Sequence, residues 1–300
     1  MADISWPRKT REMHNHHFNS SIWNDFQFRD DDIIIATYGK SGTTWLQQIV
    51  AQLLFNGAEG VPVIEMSPWL DLRIPPADVK LAEIEAQPHR RFIKTHLPVD
   101  ALVYSPRARY LYVGRDGRDV LWSLYNHHAS GNEFFYQMIN DSPGRVGPPL
   151  GEPPESVRDY FLTWLEQDGY PFWSFWDNVR SWWDIRSLPN LLLLHYSQLK
   201  ADLPGEIRRI AAFLDIPVDE SRFPVIVEHC QFDYMKANAA RVTGELVEKV
   251  FNGGAKSFVN KGTNGRWQSV LTKDDCARYE TVARQKLGPE CAAWLAHAPS

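Results

Sequence analysis

The sequence of 300 residues has only three cysteines, Cys230, Cys276 and Cys291. They are scattered and form no CxxC pair, which excludes a disulfide framework and points to a reducing, cytoplasmic setting. No apolar run approaches the length needed to span a bilayer. The opening stretch, MADISWPRKTREMHNHHF, is polar and has no apolar h-region, so no secretory signal is expected. Excess positive charge is also missing. The formal net charge is −5, which disfavours a nucleic-acid partner while leaving room for a local basic pocket around a small anion. The chain has no internal repeat and no low-complexity tail. His127-His128 lacks a carboxylate or cysteine partner at ligand spacing, so no metal site is expected.

What is present suits a large buried core. Hydrophobic residues make up 44% of the chain and charged residues 23%, consistent with one domain over residues 1–300. Four short apolar runs read as buried strands: Ile33–Ala36, Phe92–Thr95, Tyr110–Val113 and Leu191–Leu194. They are near-continuous rather than alternating, as in a parallel sheet covered on both faces. Helical spacing follows Thr44 up to a stop at Gly57, and recurs after Asp119 and after Pro204. The expected fold is α/β, three layers (α/β/α) around a central, mostly parallel sheet. Residues 141–155, rich in proline and glycine, read as a surface loop. Residues 251–265 read as a flexible lid or a long connection.

The most informative stretch is TYGKSGTTW (37–45), directly after the first strand run. Ligands of open α/β sheets sit at the carboxyl ends of the strands, and unpaired N–H groups at a helix start hold anions. Gly39 and Gly42 permit close backbone approach, Lys40 adds charge, and Ser41, Thr43 and Thr44 add hydroxyl donors. The strict ATP-binding pattern G-x-x-x-x-G-K-[ST] fails, because its first glycine would fall at Ile34. A modified, P-loop-like phosphate loop is the reading, against an ordinary glycine turn.

Four further stretches carry candidates. In RFIKTHLP (91–98), Lys94 and His96 alternate at a strand end and so point the same way, placing a base candidate beside a cation. In YLYVGRDGRDVLWSLY (110–125), Arg115 lies just past a strand and Ser123 lies on the next helix. Arginine suits a terminal phosphate, although a salt-bridge cluster of Arg115, Asp116, Arg118 and Asp119 is the plainer reading of that stretch alone. LLLLHYSQLK (191–200) offers Tyr196, by itself a tyrosine capping the core. NKGTNGRW (260–267) offers Lys261 and Gly262.

Together these five stretches, in this order and spacing from about residue 30 to residue 267, resemble the cytosolic sulfotransferase family, with a bacterial-like cast. YGKSGTTW resembles its 5′-phosphosulfate loop, GRDGRDVLWS its 3′-phosphate motif, KTHLP its catalytic-base segment and YSQLK its adenine-contact segment. FWDNVRSWW (175–183) is similar to a helix typical of the family. The resemblance implies 3′-phosphoadenosine 5′-phosphosulfate (PAPS) as donor, 3′-phosphoadenosine 5′-phosphate (PAP) as product, and no metal. By similarity Lys40, Ser41, Gly42, Thr43 and Thr44 would hold the 5′-phosphosulfate and Trp45 would stack on adenine. Arg115, Ser123, Lys261 and Gly262 would hold the 3′-phosphate. Tyr196 would contact the adenine edge, with Cys230 and Phe232 nearby. His96 would take the acceptor proton, Lys40 would stabilise charge on the bridging oxygen, and Lys94 would assist at the sulfuryl group.

The chain departs from the family pattern at Gly39, where proline is usual, at Asn260, usually arginine, and at Cys230, commonly threonine. The C-terminal dimer motif keeps only Thr272 within QSVLTKDDCA (268–277), so an oligomer formed through it is not expected. The acceptor would be a small molecule: a phenol, an alcohol or a lipid headgroup, accepting at oxygen or nitrogen. Phe134, Phe135, Tyr136 and the aromatics between 164 and 183 are candidates for its apolar pocket, although most of those tryptophans read as core. Two other classes remain on the residues alone. A phosphate-loop kinase or ATPase would need magnesium, with Asp116 its one candidate ligand. A non-catalytic nucleotide sensor would leave Lys40, Lys94 and His96 without a task.

Overall fold

A computed structural model describes residues 4–296. Four parallel strands form the sheet: β1 (Ile33–Thr37), β2 (Phe92–Thr95), β3 (Arg109–Gly114) and β4 (Leu191–His195), in the order β2-β1-β3-β4. They are the four expected runs: β2 has the expected bounds, β1 and β4 run one residue further, and β3 gains one residue at each end. The register places Ala36 beside Thr95 and beside Tyr112, so all four strands end at the same edge.

Alternation along β1 divides the core. Ile34 and Ala36 face one layer, where Tyr110, Tyr112, Trp164, Phe175, Trp176 and Trp182 pack. Ile33 and Ile35 face the other, against Leu46, Ile49, Val50, Ile207 and Ile210. Both faces are therefore dry, which is why the strands read as unbroken apolar runs. Helix Thr43–Leu54 follows β1, helix Gly117–Ala129 follows β3, and helices Tyr196–Ala201 and Leu203–Phe213 follow β4. The tryptophans at 164, 176 and 182 are core, as expected, and Trp182 stacks on Tyr112 at 5.5 Å.

Two readings need refining. Residues 251–265 are not wholly irregular, because Gly254–Phe258 forms a helix seated against helix Ala239–Val250. The long C-terminal helix Lys273–Leu287 was not apparent from apolar spacing, since it carries charge around most of its surface. It is set instead by a capping box between Thr272 and Asp275. The stretch 141–155 contains no strand, and no helix either.

The amino ends of the strands are fastened by a buried ion pair. Arg91, before β2, donates from Nε to Asp32 Oδ1 at 2.7 Å and from Nη2 to Asp32 Oδ2 at 2.6 Å. Arg91 also donates to the Gln27 carbonyl and lies over Phe26, while Asp32 accepts from the Arg29 N–H. Removing Asp32 leaves the buried Arg91 guanidinium only the exposed Glu85 carboxylate, 3.0 Å from its Nη1, as an ionic partner. Asp32→Ala should therefore cost about 3–5 kcal/mol of stability, read from the urea unfolding midpoint. A cost below about 1 kcal/mol would show that the pair is not structural.

Candidate active site

The loop after β1, the residue after β2, the turn after β3 and the start of the helix after β4 converge on one cavity of about 980 Å³. It lies at the carboxyl edge of the sheet. Here β1 has β2 on one side and β3 on the other, so the chain reverses its direction of strand addition.

The loop turns tightly. Lys40 holds φ at 65°, a conformation uncommon outside glycine, and Arg115 Nη1 donates to its carbonyl at 2.9 Å. Gly42 follows at φ 108°, and a Cβ there would stand 2.9 Å from the Tyr196 ring. Only glycine satisfies both the dihedral and the close approach. The N–H groups of the first turn of helix Thr43–Leu54 then face the cavity edge without helical partners.

Cations dominate this side. Lys40, Lys94, Arg115, Lys200, Lys261 and Arg266 all line the cavity, against an overall negative chain. Arg115 makes no ion pair among the described residues. It donates instead to Lys40 O, Thr263 O and Asn264 Oδ1, and lies 4.1 Å from the Tyr196 ring centroid. Its Nε is buried with no partner among the described residues. A guanidinium with an unsatisfied N–H is suited to hydrogen-bond an anionic oxygen. The expected salt-bridge cluster exists in part: Arg118 pairs with Asp116 at 2.6 Å, while Asp119 accepts from the Gly265 N–H.

Beside Lys94 stands His96, one residue beyond β2 and only 4% exposed. Its Nδ1 lies 2.6 Å from the Thr37 carbonyl oxygen. A carbonyl only accepts, so Nδ1 carries the hydrogen, and in the neutral ring Nε2 keeps its lone pair. Nε2 has no hydrogen-bond partner among the described residues. Burial, reinforced by Lys94 and Lys40 and opposed by the Thr37 hydrogen bond, holds the imidazole pKa well below its ordinary value. The ring is therefore neutral at neutral pH. Trp69 meets it edge-on at 4.6 Å and Trp173 stacks at 5.6 Å. Lys94 Nζ rests 4.4 Å over the same Trp69 ring.

The Thr37 hydroxyl lies 2.6 Å from that of Thr43, which joins the loop to His96 through one residue. Burial, with help from Lys94 and Arg115, lowers Lys40 to about 7; burial likewise lowers Lys94 to about 8, against the pull of Asp71.

The structure brings most of the sequence candidates together. Lys40, Gly42, Thr43, Thr44, Trp45, Lys94, His96, Arg115, Ser123, Tyr196, Phe232, Lys261 and Gly262 line the cavity. Ser41 and Cys230 do not. Ser41 is 1% exposed within the turn, and the Cys230 side chain is fully buried in the core. Cys230 acts through its carbonyl, which accepts from the Trp45 indole at 2.7 Å. Phe135 lines the cavity, whereas Phe134 is exposed and Tyr136 turns to donate to the His128 carbonyl. Sequence reasoning missed His17, Thr37, Trp69, Lys200 and Phe258. Trp173 was noticed only as one of a group. Residues 17, 69 and 173 sit in no motif, and only the fold brings them to one wall.

Comparison with known proteins now bears on the site. A family described as "Sulfotransferase domain" matches residues 30–289. A glycolipid sulfotransferase of Mycobacterium tuberculosis is 33% identical over 293 residues, spanning 91% of this chain and 90% of that protein. Sulfotransferase 1C2 of Rattus norvegicus is 30% identical over 278 residues, spanning 90% and 88%. A mouse sulfotransferase solved in complex with PAP superposes with a TM-score of 0.70 at 23% identity, covering 92% of this chain and 91% of that one. That last likeness concerns the fold.

An anion in the loop stabilises the charged form of Lys40 and so raises its lowered pKa. Binding above about pH 7 must therefore take up a proton. PAP, whose phosphate ionisation is complete above about pH 7, should bind more weakly at about pH 9 than at about pH 7, with proton uptake visible as a buffer-dependent binding enthalpy. Equal affinity and no proton uptake would contradict a buried, depressed lysine in the loop.

Proposed function

The chain belongs to the sulfotransferase domain family, and from that premise we propose a PAPS-dependent enzyme that sulfates a hydroxyl of a glycolipid headgroup or a similar lipid-like alcohol, with His96 as general base. The observation that carries the mechanism is the bare Nε2 of a neutral His96 facing the cavity that the cation-lined loop also edges. The name of the mycobacterial relative supports the acceptor class. So does the wall, where Trp69, Phe172, Trp173, Phe135, Phe251 and Phe258 provide apolar surface around the base.

PAPS supplies the sulfuryl group: the acceptor oxygen bonds to sulfur as the bond from sulfur to the phosphate oxygen breaks. His96 Nε2 takes the acceptor proton, and its Nδ1–H stays on the Thr37 carbonyl, which stabilises the imidazolium. Lys40 and the N–H groups of the loop would compensate the charge that grows on the bridging oxygen. Lys94, held over Trp69, neutralises the sulfuryl oxygens. Arg115, with its unpartnered Nε, and Ser123 would hold the 3′-phosphate, joined by Lys261 and the Gly262 backbone. Lys200 donates to Gly262 O at 2.7 Å and adds a cation on the side where Asn260 stands in place of the family's usual arginine. Trp45 and Tyr196, in edge-to-face contact at 5.4 Å, would form one aromatic wall beside the adenine. Among the described residues no group of metal-ligating side chains is assembled, and the loop cations do the work that magnesium does in a kinase.

His96→Ala should lower kcat by about 10²–10⁴-fold while leaving PAP affinity within a few-fold, measured by calorimetry on the same preparation. PAP should bind without metal and more tightly than ADP with magnesium. Retention of most of the activity would remove His96 from the base role. Tighter binding of ADP with magnesium would return the loop to the kinases.

A further inference from the structure

The acceptor side of the cavity holds a second imidazole that the mechanism does not use. His17 is 5% exposed and lines the cavity. It packs against Trp69 at 6.0 Å and Trp173 at 5.9 Å, the same two indoles that flank His96. Phe172 closes on it at 5.5 Å.

The protons of this ring follow from its neighbours. His16 Nε2 lies 2.7 Å from the Pro171 carbonyl oxygen and must donate to it. Burial, together with Arg145 and Arg73, keeps His16 below its ordinary pKa despite that bond. His16 is thus neutral at neutral pH, with a bare Nδ1. The partner of that Nδ1 is the Nδ1 of His17, which therefore supplies the hydrogen. His17 is neutral for the same reason, burial being reinforced by His16 and His96. Its Nε2 is left as a lone-pair acceptor with no hydrogen-bond partner among the described residues. An unpartnered acceptor on a ring that lines the cavity between two indoles is free to take a hydrogen bond from a ligand donor.

We propose that His17 Nε2 is a second hydroxyl-binding point in the acceptor cavity, which selects acceptors with at least two hydroxyls, such as a sugar headgroup, over simple alcohols. One hydroxyl donates to His96 and is sulfated. Another donates to His17 and holds the ring across Trp69 and Trp173. His17 is then a positioning residue for the acceptor. This inference rests on the sulfotransferase reading above and names the acceptor chemistry within it.

The test compares octyl glucoside with octanol as acceptors for PAPS-dependent transfer by the wild type, His17→Phe and His17→Gln. The wild type should prefer the glucoside, and His17→Phe should lower that preference by at least about 10-fold. The loss should appear in KM for the glucoside rather than in kcat, as for a binding contact shared by ground and transition states. His17→Gln, which keeps a side-chain acceptor, should restore part of the preference, and it also serves if the phenylalanine variant does not fold. Equal losses on both acceptors, or no change of preference in either variant, would overturn the second binding point while leaving the sulfotransferase reading intact. Absence of PAPS-dependent transfer by the wild type to both acceptors would overturn the proposed acceptor class and the subsite with it.

Discussion

The hydrogen bond from His96 Nδ1 to the Thr37 carbonyl, 2.6 Å long, is the joint on which the site depends. It exists because β1 and β2 are parallel neighbours in a register that brings Ala36 beside Thr95. The last residue of one strand then faces the first residue beyond the other. That single contact fixes the imidazole tautomer, aims Nε2 at the cavity and leaves an acceptor behind the ring to support its charge. Through the Thr37 hydroxyl it also reaches Thr43 and the anion loop. Sheet register, His96 and the loop after β1 are thus one mechanical unit.

The electrostatics are arranged around the same joint. Burial, reinforced by Lys94 and Lys40, holds His96 neutral, and each lysine is itself depressed by burial. A polyanion bound beside these groups would oppose all three shifts at once, by favouring the charged form of each. Arg115 plays the corresponding structural part on the cofactor side. It ties Lys40 to residues 263 and 264 and to the face of Tyr196. Three chain segments distant in sequence are held there by one guanidinium.

Much of this was legible in the residues, for physical reasons. A parallel sheet covered on both faces needs unbroken apolar strands, and all four were visible as such. Anion sites fall at strand ends, so the loop at 37–45, Lys94, His96, Arg115 and Tyr196 could be located before the fold was known. The acceptor wall could not. His17, Trp69 and Trp173 come from a polar N-terminal stretch, an irregular segment and an aromatic cluster that reads as core. Trp69 reaches His96 only because residues 68–70 bridge the edge of β2 at Lys94. Cys230 shows the opposite limit: alignment with a motif placed it near the adenine, but its side chain turns into the core and only its carbonyl serves the site.

The central claim is that His96 waits as a neutral imidazole with Nδ1 protonated and Nε2 bare. Long-range proton–nitrogen correlation spectra of nitrogen-15-labelled protein at neutral pH, with His96→Ala for assignment, measure this directly. The account predicts one protonated Nδ1 and one unprotonated Nε2 for His96, persisting well below the ordinary histidine pKa. An imidazolium, or the tautomer with hydrogen on Nε2, would contradict it.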